Sequence, residues 1–526
     1  MNSRQLSIIV LWGLGGIQFL VLPIFSNQAL GGKIVIFSVF IVALAAWMVL
    51  QKRQWFLPKP LLPLFFLAGT CFISLGFSFS SLIGAIELGT FFVGLVFCLL
   101  VSILASESDF LQKRIFAWLQ ILGSIVAGLC LYQYFYWLLF GVARSTLIPY
   151  LLPPSGQRVT GVYGQANLTA LLLVVAMVGF LFSVSSEKSS GNRVKASCRD
   201  IGFFFVAVAF FLTGSRAGLL ALLAPLTVLL FLSHRKILFL SSSAWGRILL
   251  ILLSSYLICR FALTPEIAGS SYIRPEVSTD ARFLFWTVSV LMFLDSPLLG
   301  VGLDHFKLFL PSYARDAHEL LGFVKFDAMG YTNWSHNEFL QILGESGIIG
   351  FVFLIIFIVL YFRLFKRNIF KANQDTEKIF IYLLAVPFFI QGMFSWSFRH
   401  PALLFIFFLI LGIGLAKSDC VKFNIGGKGK FLVFFFLLGS LSAISFLAYK
   451  EYSFVMLRKD VKENGCNPAT IIPAMNDAYF GFKAKREFLS SCSQVKGFFN
   501  DRELVEKLKP FYQEIAELQG TYGQWY

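Results

Sequence analysis

Residues 82–104 read LIGAIELGTFFVGLVFCLLVSIL, an apolar run broken by one charge, Glu87. About 18 or more such residues are long enough to cross the hydrocarbon core as a helix. Lipid offers the backbone no hydrogen-bond partners, so helix is forced there. Comparable runs recur along the chain, and spans are expected near 7–24, 33–50, 61–77, 82–104, 115–140, 167–184, 201–213, 219–232, 248–263, 347–365, 379–396, 401–416 and 431–449. The predicted class is an all-α polytopic membrane protein of about thirteen transmembrane helices. Two spans, 201–213 and 219–232, are short and expected to pair around Gly214–Gly218. Composition agrees: the 526 residues are 57% hydrophobic and 14% charged, against about half and a quarter in soluble domains. The 62 Phe residues then serve mainly as lipid-facing bulk.

The formal net charge of +16 would hint at nucleic acid in a soluble protein, but no nucleic-acid motif appears. Positive charge in cytoplasmic loops explains it better. With the N-terminus in the cytoplasm, the cytoplasmic segments hold half of the 44 Lys and Arg residues, and every internal one carries at least two. Segment 7–24 reads as a first span, not a cleaved signal. This orientation puts a long loop, 264–346, outside, together with a charged C-terminal tail, 450–526. The expected organisation is a transmembrane domain over 1–449 and a helical tail over 450–526 on the periplasmic side. No internal repeat points to a transporter built from duplicated halves.

Three outward segments are richer in polar residues than structure requires. The first, Gln157 to Asn167, enters the sixth span; Asn167 reads as an N-cap, which sets Arg158 and Gln165 at a helix N-terminus, where anions are favoured. The second is Gly214-Ser215-Arg216-Ala217-Gly218. Its glycines allow a tight turn with exposed N–H groups, and its Arg offers a fork of donors for phosphate. An Arg at the bilayer surface is costly without a partner or a job. The third is the long loop, where Thr279–Leu294, including Arg282, reads as an interfacial helix stopped at Asp295-Ser296-Pro297. Gly300-Val301-Gly302 makes a turn. Further on, Ser335 and Glu338 read as an S-x-x-E capping box, with His336 as the first helical residue and Asn337 beside it. A helix N-terminus disfavours the imidazolium, so His336 is expected to be neutral and able to accept a proton. No metal motif appears: His305, His318 and His336 share the loop without ligand spacing, and no cofactor is expected.

The Gly-Gln-Ala-Asn loop, the Gly-Ser-Arg-Ala-Gly turn, the Arg282 helix ahead of Pro297-Leu298-Leu299-Gly300-Val301-Gly302, and Ser335 to Gln341 with Glu345-Ser346-Gly347 resemble the bacterial O-antigen ligase and polymerase superfamily. Within it, the first loop and the charged tail look most like the O-oligosaccharyltransferases that glycosylate pilins and other exported proteins. The resemblance implies a GT-C-like helical bundle, placed in the bacterial inner membrane. It implies transfer of an oligosaccharide from undecaprenyl pyrophosphate on the periplasmic side. The family's essential His falls on His336, its turn Arg on Arg216, its loop Arg on Arg282 and its loop Gln on Gln165. One departure is Arg399-His400-Pro401-Ala402, where protein-directed members carry an acidic residue and Pro-Leu. That basic pair is expected to add a phosphate contact.

The chemistry implied is inverting: Arg216 and Arg282 stabilise the departing pyrophosphate, and His336 takes the acceptor hydroxyl's proton. Arg158, Gln165, Asn167, Ser215, Asn337, Glu338, Arg399 and His400 are the expected substrate contacts. The expected partners are the carrier-linked glycan, membrane lipids, and either a pilin-like protein or lipid A-core. The alternatives are a ligase acting on lipid A-core, a glycan polymerase, or a lipid-linked glycan transporter. The last predicts interior ionisable residues, of which the sequence offers Glu87 and little else.

Cys466 and Cys492 are the only cysteines of the polar tail. An outward tail lies in an oxidising compartment, so a Cys466–Cys492 disulfide is expected. Thiol titration of intact protein with and without reductant should show two tail thiols appearing only after reduction; two free tail thiols beforehand refute the bridge.

Overall fold

The computed structural model describes residues 2–19, 31–51, 55–78, 81–140, 158–186, 193–235, 237–238, 241–263, 275–322, 332–370 and 375–423, and a few positions beyond. The expected span at 431–449, the tail and its two cysteines lie outside the described residues. The described chain is an all-α polytopic membrane protein. Its helices are α1 (Ser3–Gln18), α2 (Gly31–Leu50), α3 (Leu62–Leu75), α4 (Ser81–Glu107), α5 (Phe110–Phe140), α6 (Ala166–Ser185), α7 (Arg193–Leu212), α8 (Arg216–His234), α9 (Ser242–Leu257), α10 (Pro275–Asp295), α11 (Phe306–Leu321), α12 (Glu338–Ile369), α13 (Thr376–Gly392) and α14 (Pro401–Leu415). Among the described residues seven helical stretches are long and apolar enough to cross a membrane, and Lys59–Leu75 and Pro401–Leu415 are shorter apolar helices.

A helix overlaps each expected span from 7–24 to 401–416. The pair around Gly214 departs most from expectation. α7 begins at Arg193 and α8 at Arg216, so neither is a short helix, and Arg216 belongs to a helix and not to the turn. Ser215 accepts from the Gly218 N–H and so caps α8. An apolar-run criterion stops where polar residues begin, although the backbone ladder continues.

α6 and α14 form the centre. Every residue of α6 from Ala166 to Leu181 is buried, as are all of α14 from Pro401 to Ile413. Close approach depends on small residues. A Cβ at Gly94 of α4 would lie 2.3 Å from the Phe408 ring of α14, and one at Gly412 would lie 2.7 Å from the Cys98 carbonyl. The outer helices leave Trp12, Leu50, Phe72, Leu249 and Phe261 exposed, as a lipid-facing surface requires.

The polar ends of the helices sort into two groups. At one end Ser3 bonds Glu107, Lys417 pairs with Asp109, and a two-stranded sheet, β1 (Trp55–Pro58) antiparallel to β2 (Cys420–Phe423), closes the connections. At the other end lie Arg158–Asn167, Thr213–Arg216, Ser335–Glu338 and Ser397–His400. α10 and α11 belong to this second end and share a small core of their own, Leu284, Phe285, Val288 and Met292 against Phe306, Leu310 and Ala317.

α12 is broken at Gly347, whose φ is +64°. The break would orphan backbone groups, which is costly at membrane depth. The turn after α10 fills it. Ile348 N–H donates to the Pro297 carbonyl at 2.8 Å, Val301 N–H to Gly344 at 3.1 Å and Gly302 N–H to Glu345 at 3.0 Å. Backbone meets backbone here, leaving no room for a side chain. A Cβ at Gly347 would lie 2.3 Å from the Leu298 carbonyl, and one at Gly300 2.3 Å from Glu345. Gly347→Ala and Gly300→Ala should each lose at least ~1–2 kcal/mol from left-handed strain alone. Thermal unfolding in detergent should show both falling below wild type, while Gly246→Ala, which meets nothing within 4 Å, should not fall. An unchanged midpoint for Gly347→Ala argues against the interlock.

Candidate active site

The second polar end is organised by two joints. One ties the loop before α6 to the turn before α8. Ser215 Oγ donates to Asn167 Oδ1 at 2.7 Å; Arg158 donates through Nη2 to the same oxygen at 3.2 Å and through Nε to the Thr213 carbonyl at 2.7 Å. Asn167 is not the N-cap expected of it: α6 starts one residue earlier, with Gln165 in the cap position and no side-chain cap bond. Asn167 turns inward instead, to hold α8, and its carbonyl accepts from Gln391. Arg158, Asn167 and Ser215 therefore use these side-chain atoms to join loops, not to meet a substrate. Gln165 differs, since its amide oxygen is buried without a hydrogen-bond partner.

The second joint surrounds Arg399, in the short 3-10 turn Ser397–Arg399 between α13 and α14. Its guanidinium faces three carboxylates: Glu338 Oε2 at 3.3 Å, Glu345 Oε2 at 2.8 Å and Glu87 Oε1 at 3.5 Å. Arg399 is thus committed to acids and does not fit the phosphate contact expected of it. Glu338 is equally committed, its other oxygen accepting from the Phe398 N–H at 3.0 Å. His400 is fully buried, edge-on to the Tyr163 ring at 4.9 Å, beneath the first loop. Buried Lys33 reaches the Gln18 carbonyl at 2.9 Å and lies over the same Tyr163. Interior ionisable groups are therefore more numerous than Glu87 alone, and their expected scarcity no longer counts against a transporter.

The expected capping box is also corrected. Asn337, not Ser335, caps α12, accepting from Phe339 and Leu340 N–H at 3.1 Å each. Glu338 is the first helical residue and is drawn to Arg399. His336 stands outside the helix with φ +58°. Its ring stacks near Phe285 of α10, centroids 6.1 Å apart, and Nδ1 is buried without a partner.

The three groups expected to be catalytic lie close together at this end. Arg282 on α10 is close enough to Arg216 for their charges to repel, and close enough to His336 to oppose its protonation. Among the described residues neither Arg has an acidic partner in an ion pair. Burial, and then the Arg282 charge, push the His336 imidazole down to about 4 from the usual 6.5. The neutral imidazole expected from a helix start is thus favoured by burial and a neighbouring cation instead. Removing a neighbouring cation should stabilise imidazolium, so Arg282→Gln should raise the His336 midpoint. NMR titration of the labelled imidazole in micelles measures it. A wild-type midpoint near 6.5, or a fall in the variant, contradicts this electrostatic picture.

No curated protein matches the chain. A family model does: residues 201–355 match the one described as O-antigen ligase. The matched segment includes Arg216, Arg282 and His336, together with Glu338, Glu345 and the Pro297–Gly302 turn. The match agrees with the resemblance to the O-antigen ligase and polymerase superfamily read from the sequence, over a segment set within a multi-pass membrane protein.

Proposed function

We propose that this chain is a glycosyltransferase of the O-antigen ligase type that moves an oligosaccharide en bloc from undecaprenyl pyrophosphate to a hydroxyl acceptor at the periplasmic face. The observation that carries this reading is two guanidiniums, Arg216 and Arg282, with no acidic partner among the described residues, beside the His336 imidazole, whose protonation burial and the Arg282 charge oppose. Two adjacent cations repel until an anion sits between them. A pyrophosphate supplies that anion, and its negative charge grows as the sugar C1–O bond breaks, so fixed cations favour the transition state over the ground state. The acceptor oxygen attacks C1 from the opposite face and inverts it. Its proton passes to His336, whose unpartnered Nδ1 is a free acceptor in one tautomer. A bound pyrophosphate also offsets the Arg charges, which raises the basicity of His336 when the donor is present. Gln165, with its unpartnered amide oxygen, is placed at the same end to meet a sugar hydroxyl.

The acceptor we favour is a Ser or Thr hydroxyl of an exported protein such as a pilin, on the strength of the Gly164-Gln165-Ala166-Asn167 loop. The matched family's description favours a second reading, transfer to lipid A-core. With thirteen spans and a cytoplasmic N-terminus, the loop 264–346 and the tail 450–526 both face the periplasm.

His336→Ala should abolish transfer in proteoliposomes while carrier binding is retained, a fall of at least ~10²-fold. Arg282→Ala should weaken carrier binding as well. Offering pilin and lipid A-core together, with mass spectrometry of both, identifies the acceptor; normal transfer by His336→Ala excludes the base role.

A further inference from the structure

His336 holds a left-handed backbone conformation, φ +58°, which side chains other than glycine rarely adopt. Such a conformation persists only where its surroundings over-determine it. Here they do. The Ser335 N–H donates to Gln341 Oε1 at 3.0 Å. On the other side the Asn337 N–H donates to Ser335 Oγ at 3.2 Å, and Ser335 Oγ donates to the Asn337 carbonyl at 2.8 Å. The residues flanking His336 are thus pinned before and after it.

Gln341 is pinned in turn. Its Nε2 donates to Glu345 Oε1 at 2.9 Å, so its two ends are distinguished: a carboxylate demands the NH₂ and a backbone N–H demands the oxygen. Glu345 is fully buried, and also accepts from Arg399 Nη2 at 2.8 Å and from the Phe306 N–H at 3.2 Å. Phe306 opens α11 and packs against Phe285 of α10, which stacks near the His336 ring. One chain of contacts, Arg399–Glu345–Gln341–Ser335, thereby reaches the proposed base, and a branch at Glu345 leads through α11 to α10, which carries Arg282.

We propose that Gln341, Glu345 and Arg399 are positioning residues that hold His336 in register with Arg282, an inference that rests on His336 being the base. They act through Ser335 and Phe306 and need not touch donor or acceptor. Gln341 is the informative member, since only a side chain that donates at one end and accepts at the other joins a carboxylate to an N–H.

The test uses the full-length protein in proteoliposomes with carrier-linked oligosaccharide and an acceptor. Gln341→Met keeps length and volume but loses both bonds. A small displacement of the base should lower kcat roughly 10- to 100-fold, while KM for the carrier stays within about two-fold of wild type. Gln341→Glu sets two carboxylates face to face and should be equally slow. Lowering the pH protonates one carboxyl of that pair, which can then donate to the other while its second oxygen accepts from the Ser335 N–H, so Gln341→Glu should gain at least ~10-fold relative to wild type measured at the same pH. This comparison also covers the case in which the Met variant fails to fold. An unchanged kcat, a rise in KM alone, or a Gln341→Glu rate that gains nothing on wild type as the pH falls overturns the proposal. A normal Gln341→Met beside an inactive His336→Ala refutes the positioning chain and leaves the base in place. An active His336→Ala removes the base reading itself.

Discussion

One buried guanidinium faces three carboxylates, and the polar end of this bundle is built around it. Arg399 comes from the connection between α13 and α14, Glu87 from α4, and Glu338 and Glu345 from α12. Buried charges are expensive unless paired and hydrogen-bonded. Glu345 meets that condition most fully, with donors from Arg399, Gln341 and Phe306. Because the partners belong to different helices, the cost of separating them is a constraint on where those helices end. α12 must begin where Glu338 reaches Arg399, and that places His336 just outside the helix.

A second constraint acts on the backbone. α12 breaks at Gly347, and the turn from Pro297 to Gly302 supplies the partners that the helix lacks. The loop that carries Arg282 is thereby hydrogen-bonded into a membrane-spanning element, not merely tethered to it. Side-chain ions and backbone bonds converge at Glu345, whose carboxylate holds Arg399 while its carbonyl accepts from Gly302. Gly300 and Gly347 are glycines because two backbones touch there.

Much of this was legible in the sequence, and the limits of the reading are physical. Hydropathy located helices because apolar length is a local property. Arg216, Arg282 and His336 stood out because cations and an imidazole beside apolar runs need a reason. The register of α12 was not legible. Ser335 and Asn337 both offer a helix cap, and local pattern favours Ser335 with Glu338 in a box. The structure chooses Asn337 because Glu338 is taken by a residue 61 positions away and the Ser335 N–H by Gln341. Asn167 was misjudged for the same reason: its partner Ser215 lies 48 positions on. Arg399 looked like a phosphate ligand because its three acids come from helices that a linear reading cannot bring together.

The division between committed and uncommitted groups bears on mechanism. A transferase must bind a polyanion and then let it go, so its cations cannot also be satisfied by fixed acids. Arg399 and Arg158 have partners that hold them in either state. Arg216 and Arg282 have none among the described residues, and their mutual repulsion keeps the site receptive to an anion. A site made only of partnered cations would bind phosphate poorly, because each carboxylate would have to be displaced. One made only of free cations would scatter its own loops. On the proposed reading the partnered arginines fix the loops and the two without acidic partners among the described residues meet the ligand, so the ion cluster at Arg399 and the cation pair at Arg216 and Arg282 belong to one design, with His336 held between them.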